Sequence, residues 1–78
     1  MWKPKNITVI CRHDEGALLA IENEEGGVQI VHAWGYDPET RTWGQGRYFG
    51  YVTGRYSEDG AKPLLRGIDY MREMGYIS

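Results

Sequence analysis

Apolar and polar residues alternate along most of the chain, and clusters of Gly, Asp, Glu and Asn interrupt the alternation. Residues 7–12 read as a strand, with Ile7, Val9 and Cys11 on one face and Thr8, Ile10 and Arg12 on the other. His13, Asp14, Glu15 and Gly16 make a turn, and residues 17–22 follow as a hairpin partner. Asn23, Glu24, Glu25, Gly26 and Gly27 make the next polar turn. Residues 28–36 are the clearest strand, with Val28, Ile30, His32, Trp34 and Tyr36 opposite Gln29, Val31, Ala33 and Gly35. Asp37 and Pro38 suit the first two positions of a type I turn. The connection 37–46 is longer than a minimal hairpin loop, so its tip is expected to project from the body. A fourth strand spans 47–55, with Arg47, Phe49, Tyr51, Thr53 and Arg55 opposite Tyr48, Gly50, Val52 and Gly54.

The period then changes from 2 to about 3.6. Leu64, Leu65, Ile68 and Met71 mark one helical stripe, away from Arg66, Asp69, Arg72 and Glu73. Pro63 is tolerated only in a first turn, which places the N-cap near Gly60, after Ser57, Glu58 and Asp59. The two acids suit the positive end of the helix dipole. Gly75 fits the left-handed position after the helix, with Tyr76 packing back on Met71. Gly67 costs about 1 kcal/mol relative to Ala inside a helix, and close approach to the sheet explains it. The predicted fold is α+β, a four-stranded antiparallel sheet (ββββα) with one C-terminal helix packed on one face. It forms a single domain over 1–78: an arm over 1–5, the sheet over 6–56 and the helix over 61–74. A meander and a rearranged strand order fit the pattern equally.

The two faces of the third and fourth strands differ. One carries Ala33, Gly35, Gly50 and Gly54 with Val31 and Val52; the other carries Ile30, His32, Trp34, Tyr36, Phe49 and Tyr51, flanked by Arg47 and Arg55. Two arrangements fit. In one, the bulky residues form the core beneath the helix, and the glycines accommodate twist or bulges. In the other, the helix settles on the small face and the aromatic face is left as an interaction surface. The first two strands are apolar on both faces, so one helix cannot cover both sides. The arm with Trp2, a second copy of the chain or a partner is expected to cover the other.

Composition narrows the function classes. Seventy-eight residues make one small core, to which three Trp, six Tyr and one Phe contribute much of the area. The net charge of −2 argues against nucleic-acid binding, which draws on clustered Lys and Arg. The lone Cys11 forms no internal disulfide and favours a reducing, cytoplasmic setting. The longest apolar run, 17–21, predicts neither a membrane span nor a leader.

Catalytic motifs are missing: the chain has no P-loop, nucleophile elbow, CxxC or HExxH. It is read as a non-enzyme without a cofactor. Cys11 and His13 point to one side of the first strand and, with Asp14 and His32, are the one candidate metal set. The acids Asp14, Glu15, Glu22, Glu24 and Glu25 gather at the ends of the first two strands, as solvated turns or as a patch for a basic partner. Arg41, Trp43, Arg47, Tyr48 and Phe49 surround the long loop. Arg with aromatics stacks bases, yet Trp, Tyr and Arg are also the commonest protein-interface anchors.

The leading expectation is therefore a non-catalytic domain that occupies a surface on a protein partner. Trp34, Tyr36, Trp43, Phe49 and Tyr51 are the expected anchors, and Arg41 and Arg47 the polar contacts. A symmetric homodimer through the same face is compatible with this. Nucleic-acid binding through these residues is the alternative, and a small metal-binding protein the second. In size, acidity and lack of catalytic motifs the chain is similar to small accessory proteins of phages and other mobile elements, including anti-CRISPR inhibitors. That likeness matches no residue, so no site is carried over.

Overall fold

The computed structural model describes residues 4–52 and 61–77. Trp2, the positions Thr53, Gly54 and Arg55, and the expected cap at Ser57, Glu58, Asp59 and Gly60 lie outside the described residues. Strands β1 (Asn6–His13), β2 (Gly16–Glu22), β3 (Val28–Trp34) and β4 (Gly46–Val52) precede helix α1 (Ala61–Glu73). The sheet is an antiparallel meander in the order β1-β2-β3-β4. Its turns use their own polar residues. Asn23 Oδ1 accepts from the backbone N–H of Glu25 and Gly27 at 3.0 and 2.8 Å, and Asp37 Oδ1 from that of Glu39 at 2.9 Å.

Helix α1 covers the bulky face, not the glycine-lined one. Leu18, Val28, Ile30, Tyr70 and Met71 form a buried cluster, against which Trp34, Phe49, Leu64 and Ile68 pack. The small-face arrangement is thereby overturned. A bulky sheet face and the helix stripe together remove more apolar area from water than either could against small residues. Gly50 is instead a notch in that bulky face, and Gly67 a notch in the helix that rests on it. A Cβ on Gly50 would lie 2.6 Å from Pro63 Cγ, and one on Gly67 3.0 Å from Leu18 Cδ1. The helix stripe is also rotated from the expected one: Leu65 is exposed, while Tyr70 is buried.

Two bulges and one turn explain why simple alternation failed. In β1, Val9 pairs with Leu19 but Cys11 pairs with Leu18, so Ile10 is the extra residue. Cys11 therefore leaves the face of Ile7 and Val9 and joins the helix side. In β4, Tyr48 pairs with Val31 and Gly50 with Ile30, so Phe49 is the extra residue. Tyr51, opposite Gln29, is thereby separated from Arg47 and Phe49. At the end of β3, Gly35 adopts φ +70° and turns the chain, so Tyr36 packs on the face opposite Trp34.

The second face is closed by the long connection. Ala17, Leu19, Ile21, Val31 and Ala33 are buried, with Ile7, Tyr36 and Trp43 packed over them. The segment folds back rather than standing clear of the body. Trp34 N–H donates to Gln45 O at 2.9 Å, Gly44 N–H to Trp34 O at 3.0 Å, and Asp37 N–H to Thr42 O at 2.9 Å. Tyr36 and Trp43 face each other across it, ring centres 6.2 Å apart. The small residues beneath leave room for these two rings.

The end of α1 is a Schellman cap. Gly75 takes φ +75°, its N–H donates to Arg72 O at 3.0 Å, and Tyr76 N–H donates to Met71 O at 2.9 Å. The cap turns Tyr76 back toward the sheet, where it meets the histidines of β1 and β3.

Candidate functional site

The seven residues expected to bind a partner divide between the two faces. Trp34 and Phe49 are partly buried and pack against the core beneath α1, on the helix side of the sheet. Arg47 shares their side and lies over the rings of Tyr70 and Phe49, 4.7 and 5.5 Å from the centroids. Tyr36 is part of the cover on the opposite face. Arg41, Trp43 and Tyr51 remain accessible on that side: Arg41 at the hairpin tip with φ +59°, Trp43 half-buried, Tyr51 exposed.

A different set of rings therefore lines the outer face. Tyr48 is 57% exposed and Tyr51 39%, and both stand on the face of β4 that α1 does not touch. The Trp43 indole lies beside Gly46, continuing the line of rings toward the hairpin. Tyr51 is anchored, its hydroxyl accepting from Asn23 Nδ2 at 2.9 Å. Tyr48 makes no such bond among the described residues. Its sequence position beside the loop was legible. Its exposure was not, because regular alternation put it among the small residues, which one of the two arrangements placed beneath the helix.

On the helix side, His13 and His32 come together. Their Nε2 atoms are 2.7 Å apart. His13 Nδ1 accepts the Glu15 backbone N–H at 3.1 Å. A neutral imidazole carries one proton, so His13 holds it on Nε2 and donates it to His32 Nε2. His32 then carries its proton on Nδ1, which is buried without a hydrogen-bond partner among the described residues. Rings surround the pair. Tyr76 stacks on His13 at 3.8 Å and 5°, Trp34 meets His32 edge to face at 4.1 Å, and Tyr70 is 5.3 Å from it. Burial, then the neighbouring His13 and Arg47, push His32 down from 6.5 to about 4, with Glu15 opposing. Burial likewise raises Tyr70, and Tyr76 adds to it.

The candidate metal set does not assemble. No group of three or more His, Cys, Asp and Glu placed to hold an ion occurs among the described residues. The two histidine nitrogens are bonded to each other instead of converging on an ion. Burial raises the Cys11 thiol, with the Leu18 backbone opposing, so Cys11 is poorly suited as nucleophile or ligand. The acids are also divided. Asp14 and Glu15 lie at one end of the β1–β2 hairpin, while Glu22, Glu24 and Glu25 lie at the other. Glu22 pairs with Lys5 at 3.6 Å on the surface. A shallow cleft of about 310 Å³ opens beside His13, Asp14, Glu15, Gly75 and Tyr76.

Fold and site together define a two-layer α+β domain with an open tyrosine-bearing face and a buried histidine pair. No protein-family model, curated protein or solved structure matches the chain. Among the described residues, no helix is long and apolar enough to cross a membrane.

Proposed function

We propose that this chain is a non-catalytic binding domain that occupies a surface on a protein partner through the outer face of β4. Tyr48 carries this reading: a large ring more than half exposed, in line with Tyr51 and Trp43. Tyrosine and tryptophan supply much contact area at little cost in side-chain entropy. Arg41 at the hairpin tip adds a polar contact at the end of the same stripe, where it lines a small cleft with Trp43. Of the residues expected from sequence this surface keeps Arg41, Trp43 and Tyr51, leaves out Trp34, Tyr36, Arg47 and Phe49, and adds Tyr48. An inhibitor or accessory protein that blocks its target by contact fits such a domain, since blocking needs area and no chemistry.

The test compares immobilised wild type with Tyr48→Ala against nuclease-treated cell extract, at about 0.1 and 1 M salt. A partner protein held at both salts by wild type, and lost with the variant at unchanged melting temperature, supports the reading. Retention unaffected by Tyr48→Ala refutes this surface. Binding of oligonucleotides that collapses with salt would favour the nucleic-acid alternative. A purified chain whose mass doubles on light scattering, and reverts with Tyr48→Ala, makes the partner a second copy.

A further inference from the structure

The His13–His32 pair ties three separate parts of the chain together. His13 ends β1, His32 sits in the middle of β3, and Tyr76 arrives from the tail after α1. Tyr76 lies over His13, and its hydroxyl points to Glu15 Oε2 at 3.4 Å. Both nitrogens able to take a proton are already acceptors. His13 Nδ1 receives the Glu15 N–H, and His32 Nε2 receives the proton of His13. An added proton therefore has no free site. On His13 Nδ1 it opposes the Glu15 N–H; on His32 Nε2 it sets two N–H groups against each other at 2.7 Å. Charge on His32 would also be buried, because the residue is 0% exposed.

We propose that the pair is an acid-operated latch: a proton taken up at His32 Nε2 breaks the ring-to-ring bond and releases residues 75–77 from the turn at Asp14 and Glu15. The surrounding groups set its direction. Arg47 on β4 faces the pair and disfavours a further positive charge, and Tyr70 on α1 offers a neutral ring. Cys11, on the same side of β1 as His13, is neutral in the acid range. Glu15 favours the charge, and Asp14 lies beside it at the exposed turn, where solvent weakens its pull. Among the described residues, Tyr76 and the partly buried Ile77 hold the tail to the sheet side beyond its own cap. Release enlarges the cleft beside His13 and uncovers the ring of His32.

The size of the effect follows from linkage. A histidine that titrates at 6.5 when released and at about 4 when docked raises the open population about 20-fold between pH 7 and pH 5. The sign is fixed: the latch is closed above the ordinary histidine range and opens as pH falls toward 4.

The experiment is NMR of the wild-type chain across pH 7 to 4, following the imidazole nitrogens and amide exchange together. Expected at pH 7 are two neutral rings, His13 protonated on Nε2 and His32 on Nδ1. On acidification the His32 ring should change in one step with the loss of protection at Tyr76 and Ile77, while Leu19 and Val31 stay protected. A charged ring at pH 7, tail protection constant with pH, or sheet and tail opening together would each overturn the latch. A Tyr76→Leu variant keeps an apolar tail without the stacked ring. It should shift the tail's opening toward neutral pH, and an unchanged opening curve would count against the proposal.

Discussion

A methyl group added at Gly50 tests how closely α1 approaches the sheet. The built Cβ lies 2.6 Å from Pro63 Cγ and 2.8 Å from Pro63 Cβ, against an ordinary carbon contact of about 3.5–4.0 Å. The overlap is about 1 Å, and a proline ring cannot rotate out of the way. Either the start of α1 lifts or the β4 bulge moves, and overpacking of this kind costs about 1–3 kcal/mol. For a domain whose total stability is about 4–12 kcal/mol, the upper half of that range is large. Each kcal/mol lowers the melting temperature by about 4–8 °C at this size. Gly50→Ala should therefore melt about 8–20 °C below wild type, followed by far-ultraviolet circular dichroism with urea unfolding as a second measure. Pro63→Gly removes both clashing carbons, and its own helix penalty cancels in a double-mutant cycle. The cycle should return at least about 1 kcal/mol of the Gly50→Ala loss. A Gly50→Ala chain within about 3 °C of wild type, or a cycle with no coupling to Pro63, refutes the packing described here.

Four further outcomes follow from the same contacts. Gly67→Ala should destabilise despite the roughly 1 kcal/mol gain in helix propensity, since the new Cβ meets the fully buried Leu18 at 3.0 Å; a higher melting temperature would show that Leu18 yields freely. Leu18→Ala should cost about 2–5 kcal/mol in urea unfolding, because its side chain lies at the centre of the helix-side core. Tyr48→Ala should stay within about 0.5 kcal/mol of wild type while Phe49→Ala, which removes a ring partly buried against the helix-side core, loses about 1.5 kcal/mol or more, and equal losses would return Tyr48 to the core. Cys11, its thiol raised by burial, should react with a disulfide reagent at pH 8 several-fold more slowly than free cysteine; equal rates would mean that the thiol is open to water.

The elements were legible because their signals are local. Alternation located each strand to within a few residues, and Pro63 and Gly75 bracketed the helix. Gly75 and Tyr76 form the cap their order implied. Gly67 does mark close approach to the sheet, although to bulky residues. The faces were not legible, because each bulge shifts every later side chain by one position and has no signature in a strand without Pro. Ile10 and Phe49 look like ordinary members of their runs, yet they decide where Cys11 and Tyr51 point. The site inherited this error: seven residues assigned to one surface occupy two. The histidine pair was visible only in part. Cys11, His13 and His32 drew attention as a metal set, but Tyr76, which completes the cluster, read only as a capping contact.

The two displaced residues also bear on how anything can dock here. Along the described length of β1 and β4 they interrupt the even row of backbone donors and acceptors that an incoming chain would need as a template. Lengthening of the sheet by a fifth strand, from a fibril neighbour or a target peptide, is thus discouraged at both borders. A partner of the kind proposed above would therefore be gripped by side chains rather than by backbone.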